Sequence, residues 1–355
     1  MTTHAPLFTL LALFALAPLQ SPRDAAPALR FTPSSGWPYG ADGVHRAALP
    51  QEEHRARRAA FLEEIAKLGP GTIAIVKSAP VARRNGDVSH EYRQDSDFVW
   101  LTGYPEPEAV AFFEPAASAE PKSGAAKAAA DAPGGEAKRP AYTLYVLPRD
   151  PERETWTGKR IGPDGARERY GADEAKTIDK LDADLRAAIA RAKTLVLVNN
   201  FDREFASKID AIVRERRETA VGPEKIVDPD RWIAERRLIK SPAEIEMMKK
   251  AAEVSIEGHL AAMRASRGAA NEAEIEAAAE HAFRALGAPR LGYPSICGAG
   301  NNGCVLHYNA NDEPMGKNDL MLMDAAAEVG FYTADVTRTW PLSGKFTPEQ
   351  RAIYD

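Results

Sequence analysis

The stretch Leu320–Trp340, LMLMDAAAEVGFYTADVTRTW, decides how the chain is read: two strand-like apolar runs each carry an aspartate, Asp324 and Asp335. A two-residue loop at Val329-Gly330, with glycine in the second position, would make the stretch a hairpin. That loop sets Asp324 directly opposite Asp335 on one face, with Cβ atoms roughly 4.5 to 5.5 Å apart. Carboxylates so placed repel each other, and burying them unpaired forces one to keep a proton. Bound divalent cations would remove the conflict. Oxygen ligands favour Mg, Mn or Ca, and two ions roughly 3.5 to 4 Å apart can share one water as a nucleophile. The other resolution is that one aspartate pairs with Arg338 or lies on a solvated edge while its neighbour makes a turn contact. Spacing alone leaves both open.

Upstream, GCVLHYNAND carries His307 among asparagines, which suggests a polar cleft loop, although a histidine beside a tyrosine at a strand end is also an ordinary structural residue. Thr337 shares a face with Asp335 and could hydrogen-bond its carboxylate, or serve only as a good strand former. The two cysteines, Cys297 and Cys304, have no zinc-ligand spacing and read as small thiols, with a single bridge between them as the alternative.

At 355 residues the chain has room for two domains. A net charge of -5 with no long basic block gives a polyanion nothing to find, so nucleic acid is excluded as a first reading. The apolar run Leu7–Leu19 is too short to span a bilayer and suits a secretory signal within residues 1–27, although no Lys or Arg precedes it and Pro18 follows the small-x-small site. It implies a secreted or periplasmic protein, with a cytoplasmic one as alternative, and no other segment suits stable membrane insertion.

From Gln51 to Leu68 the sequence predicts an amphipathic helix, followed by strands at GTIAIVKSA, DFVWLTGY, AVAFFEP, YTLYVLPR and TLVLVNN and helices at LDADLRAAIARAK and FDREFASKIDAIVRERR. This interleaving predicts an α/β domain over residues 45–220. Residues 116–141 lack large apolar side chains and read as a flexible insertion without chemistry. A second unit over residues 225–355 opens on a capping box, Ser241 with Glu244 and Pro242 at the first helical position. Its apolar residues Ile245, Met248, Ala252, Ile256, Leu260 and Met263 share one face, and a further helix runs from Asn271 to about Gly287.

Three stretches carry a resemblance. GYPSICGAGNNGCVLHYNAND, continued by LMLMDAAAEVGFYTADVTRTWPLSGKFTPEQRAIYD, resembles the catalytic half of Xaa-Pro aminopeptidases, the aminopeptidase P family of pita-bread metallopeptidases. RRNGDVSHEYRQDSDFVWLTGYPEPEAV and WTGKRIGPDGARERYGADEA are similar to that family's N-terminal domain. The resemblance implies an α/β N-terminal domain followed by an α+β pita-bread domain that is incomplete at its C-terminus. It also implies removal of the first residue from peptides with proline second, where the X-Pro bond lacks an N–H and its ring fixes the backbone.

Carried over by position, Asp324 and Asp335 fall on ligands of two divalent ions, usually manganese, and His307 falls on the histidine that stabilises the tetrahedral intermediate. Three more ligands, one His and two Glu, lie downstream in the family, whereas Asp355 falls inside its QRxIYD segment. The chain alone is therefore expected to be inactive and incompletely folded, with open strand edges. Ala326 and Ala334 stand where the family often has glycine. Homo-oligomers occur in the family, and Trp100 reads as either an interface or a core residue. Prolidase, which cleaves dipeptides, is the nearest alternative; creatinase keeps the fold without metals. A non-catalytic pita-bread binding protein is the alternative from another class.

Overall fold

A computed structural model describes residues 48–115, 139–198, 202–219 and 221–355. The expected leader, residues 1–27, and most of the expected insertion lie outside the described residues.

The N-terminal half is built on one six-stranded sheet. Helix α1 (Gln51–Ala66) precedes β1 (Thr72–Lys77) and the small hairpin β2 (Arg83–Asn85) and β3 (Val88–Ser89). Then come α2 (Ser96–Thr102), β4 (Val110–Phe113), β5 (Tyr142–Val146), α3 (Pro151–Thr157), α4 (Gly162–Tyr170), β6 (Glu174–Thr177), α5 (Leu181–Arg191), β7 (Thr194–Leu197), α6 (Arg203–Glu218) and β8 (Lys225–Val227). The strand order is β6-β5-β4-β1-β7-β8, with β4 antiparallel to both neighbours and the β1-β7-β8 and β5-β6 pairs parallel.

The strands are near-continuous apolar runs because both faces are covered. Ala74, Val76, Ala111 and Phe113 meet Phe61 of α1 on one face, while Ile73, Ile75, Val110 and Phe112 meet Leu185, Ile189 and Ile212 of α5 and α6 on the other. The expected strand at DFVWLTGY is instead helix α2. Asp95 accepts from the Asp97 and Phe98 N–H groups, and Gly103 closes the last turn at φ +70°. Those end signals outweigh the strand propensity of Phe, Val and Trp. Trp100 is a core residue, 8% exposed.

The C-terminal half begins after α7 (Asp230–Leu238). Helices α8 (Pro242–Ala265) and α9 (Glu272–Ala285) cover two three-stranded sheets assembled from β9 (Arg290–Leu291), β10 (Ile296–Ala299), β11 (Leu320–Asp324), β12 (Ala327–Val329), β13 (Tyr332–Thr333) and β14 (Thr337–Pro341). A last helix, α10 (Pro348–Tyr354), follows. The Ser241–Glu244 capping box forms as expected, and Asn271 caps α9.

The apolar stripe of α8 does not turn inward as its periodicity suggests. Ile245, Met248, Ile256 and Leu260 are 42%, 38%, 51% and 37% exposed, while Ala251, Val254, Ser255, Gly258, His259 and Ala262 form the buried face. Close approach explains the choice. A Cβ at Gly258 would lie 2.0 Å from Cε1 of Phe283, so the small face is the one that fits against α9. Gly258→Val should therefore destabilise the fold by overpacking, by about 1–3 kcal/mol or more. Gly268→Ala, a site with nothing within 4 Å, should be nearly neutral. Paired thermal melts check both.

Candidate metal and peptide site

The hairpin forms, but its turn lies one residue further on than expected. Glu328 pairs with Thr333 and Val329 with Tyr332, so the loop is Gly330-Phe331, both at positive φ, +59° and +71°. This is the backbone a type I′ turn requires. The same register continues past a short interruption, where the Ala325 N–H donates to the Val336 carbonyl (3.2 Å) and Asp324 pairs with Thr337. The two aspartates are therefore not directly opposite. They are diagonal neighbours on one face, a relation that spaces Cα atoms by roughly 7–8 Å.

Both carboxylates nevertheless converge on one group. Tyr293, between β9 and β10, donates its hydroxyl to Oδ1 of Asp324 and lies 3.4 Å from Oδ1 of Asp335. The Tyr293 hydroxyl oxygen also accepts the Val336 N–H at 3.3 Å. Burial, followed by the hydrogen bond to Asp324, pushes the Tyr293 hydroxyl up, so it stays protonated as a donor. Asp324 is half-buried and Asp335 exposed. Among the described residues neither forms an ion pair, and Arg338 turns its guanidinium to the Thr337 carbonyl instead. Thr337 is exposed opposite Asp324. Sequence reading missed Tyr293, since a tyrosine before Pro294 carries no spacing signal that ties it to residues 31 and 42 positions on.

Helix α8 fixes the interruption beside Asp324. His259 donates from Nε2 to the Ala325 carbonyl (3.0 Å), and Ser255 Oγ accepts the Ala327 N–H (2.9 Å). Burial holds His259 below the usual imidazole range, so the neutral ring makes this bond. Ala326 is 1% exposed, and neither it nor Ala334 has positive φ, so alanine meets the backbone demands at both places.

His307 is exposed on the loop after β10. Glu272, fully buried at the start of α9, holds that loop. Its carboxylate accepts the Ala299 N–H (2.7 Å), the Asn302 amide (3.0 Å), the Tyr308 hydroxyl (2.7 Å) and the Glu313 N–H (3.1 Å). Asn311, at φ +49°, accepts the Cys297 N–H and donates to Ser295 O and Glu276. Cys297 is buried and Cys304 exposed, both as free thiols, so the alternative of a bridge is not realised.

Two same-face carboxylates sharing one hydroxyl suit a divalent cation, which would neutralise both. Among the described residues no third His, Cys, Asp or Glu joins them in a cluster.

Tyr293→Phe should loosen Asp335 and weaken divalent-ion binding by about tenfold or more, the usual range for groups that orient ligands, as titration calorimetry would read. Burial raises the Glu272 pKa, but the four hydrogen bonds prevail and hold it below its ordinary value. Its contribution is then fully present above the unfolded-state pKa and is lost as pH falls through the lower folded-state value. The stability gap between wild type and Glu272→Gln should be widest near neutrality and close as acid protonates the wild-type carboxylate; denaturant melts across pH measure it.

Comparison with known proteins places this geometry. The description "Aminopeptidase P, N-terminal domain" matches residues 54–197, and "Metallopeptidase family M24" matches residues 246–355. Xaa-Pro aminopeptidase of Haemophilus influenzae is 34% identical over 312 residues, covering 88% of this chain and 66% of that protein. The Escherichia coli Xaa-Pro aminopeptidase is 32% identical, covering 86% of this chain and 66% of that protein. Among solved structures, Pseudomonas aeruginosa aminopeptidase PepP aligns with TM-score 0.75 and 39% identity, over 86% of this chain and 65% of that one. Escherichia coli aminopeptidase P with the inhibitor Pro-Leu aligns with TM-score 0.76 and 32% identity, over 86% and 66%. The chain thus spans about 66% of the length of these curated relatives. With an aminopeptidase P N-terminal domain joined to part of an M24 pita-bread domain, it belongs to the aminopeptidase P family of metallopeptidases.

Proposed function

We propose that the protein to which this chain belongs is a metal-dependent Xaa-Pro aminopeptidase, releasing the first residue from peptides with proline second. The observation that carries the reading is the convergence of Asp324 and Asp335 on the Tyr293 hydroxyl, within the segment that matches the metallopeptidase family. Asp324 and Asp335 would contribute to holding two divalent ions, with Mn the metal proposed. Such ions lower the pKa of water and place positive charge where a carbonyl oxygen gains charge.

The chain's own residues then have separate tasks. Tyr293, protonated, holds one oxygen of each carboxylate at its hydroxyl. His307 donates a hydrogen bond to the oxygen of the scissile carbonyl as charge develops there. Glu272, through Tyr308 and the backbone around it, holds the loop from which His307 acts. Proline in second place removes the N–H that a general peptidase site would bind and fixes φ, so the substrate is selected by shape.

Among the described residues no helix is long and apolar enough to cross a membrane. Export guided by the segment around Leu7–Leu19 and assembly into a homo-oligomer complete the proposal.

The test uses the full-length protein, an Xaa-Pro-Xaa tripeptide and an Xaa-Pro dipeptide. Chelation should abolish release of the first residue from the tripeptide, Mn should restore it, and Asp335→Asn should lower kcat/KM by at least about a hundredfold, given the loss of a direct ligand. Activity that survives exhaustive chelation would sink the metal reading. Cleavage of the dipeptide in preference to the tripeptide would replace the aminopeptidase with a prolidase.

A further inference from the structure

The turn that sets the register of the aspartates contains a conformation that needs support. Phe331 sits at φ +71°, in a region that a bulky residue seldom enters and that persists only where the surroundings over-determine it. Two guanidinium groups lie over its ring, Arg93 at 5.6 Å and Arg290 at 5.2 Å from the ring centre. Both arginines also grip one carboxylate. Glu328, 3% exposed on β12, accepts from Arg93 Nε at 2.7 Å through Oε2 and from Arg290 Nε at 2.8 Å through Oε1.

Arg290 is the strand partner of Glu328, so its contact is local to the sheet. Arg93 is not local: it comes from the N-terminal half, 235 residues away, where Nη1 is fixed by the Gln94 carbonyl (3.0 Å) and Ser96 Oγ (3.1 Å). A second tie reaches the other side of the turn. Tyr332 donates to Glu244 at 2.7 Å, and Glu244 is ion-paired with Arg57 of α1 at 3.1 Å.

The competing turn, Val329-Gly330, would put positive φ on a β-branched residue and move Asp335 directly opposite Asp324. The observed turn keeps the pair diagonal. Arg93 and Arg290 both hold Glu328 and Phe331 from outside the hairpin, and Arg93 alone does so from the N-terminal half. We propose that Arg93 is a positioning residue for the Asp324–Asp335 pair. From the N-terminal half it pins the Gly330-Phe331 turn, and with it the register that spaces the two carboxylates. Its consequence for metal binding rests on the function proposed above; the pinning of the turn does not.

The test compares the full-length wild type with Arg93→Ala and the milder Arg93→Lys, which keeps the charge but not the two-sided grip. In metal-free protein, hydrogen exchange at Val329 and Tyr332 should speed up by about tenfold or more in Arg93→Ala, while α5 and β1 exchange as in wild type. Calorimetry with Mn should show about tenfold weaker binding, with Arg93→Lys between the two. Unchanged exchange at the turn would overturn the proposal, as would faster exchange throughout the fold or altered exchange with wild-type Mn affinity. If Mn binding is equally insensitive to Asp335→Asn, the failure belongs to the metal reading instead, and local exchange alone decides whether Arg93 pins the turn.

Discussion

The backbone beside Asp324 depends on how closely α8 approaches the hairpin. Where the ladder is interrupted, some backbone groups of Ala325–Ala327 have no partner on the opposite strand, and buried backbone groups must find others. They find them on the helix and on the neighbouring strand: His259 for the Ala325 carbonyl, Ser255 for the Ala327 N–H, and the Gly292 N–H for the Ala326 carbonyl at 2.8 Å. Those side chains are short, so the helix must lie near the sheet. That nearness requires the face of Ala251, Ser255, Gly258 and Ala262 to turn inward. The exposed Ile and Met stripe is the consequence of this choice.

Diagonal placement of the carboxylates is also a matter of electrostatics. Directly opposed, two ionised groups would repel strongly enough to hold a proton between them, as in carboxylate pairs that share one site. One step along the diagonal relieves that repulsion and leaves room for a shared donor, which Tyr293 supplies. A cation that neutralised both would meet carboxylates already aimed at one point. The two carboxylates are thus arranged by a turn, a helix face and a phenol.

Local signals made much of this legible in the sequence. Ser241 with Glu244 and Asn271 with Glu274 each encode a cap that forms with few distant partners, and the near-continuous apolar runs of the N-terminal strands mark a sheet covered on both faces. The misread places are those where distant contacts decide. DFVW has strand propensity, yet Asp95 and Gly103 end it as a helix, and His54 and Arg57 of α1 donate to its Trp100 carbonyl (3.0 and 3.2 Å). Glycine at position 330 fits either the first or the second place of a two-residue turn, and the second would put positive φ on the β-branched Val329. The same-face relation of Asp324 and Asp335 survived that error, because both turns preserve the parity of the strands.

Glu244 indicates how a local signal becomes a tertiary one. Burial favours its neutral form, but the Ser241 N–H, the Tyr332 hydroxyl and Arg57 favour the carboxylate more, and its pKa falls below the ordinary value. One of its oxygens completes the capping box through the Ser241 N–H (2.7 Å), and the other receives Tyr332 and faces Arg57. Alanine there would leave the Ser241 N–H without its acceptor, Arg57 with Glu53 at 3.7 Å as its remaining counter-charge among the described residues and the hairpin without its tie, so the three losses would not be separable. Removing one partner of such a buried ion pair leaves the other charge uncompensated. At Glu244, as at Glu328, the carboxylate ties the C-terminal half to an arginine of the N-terminal half.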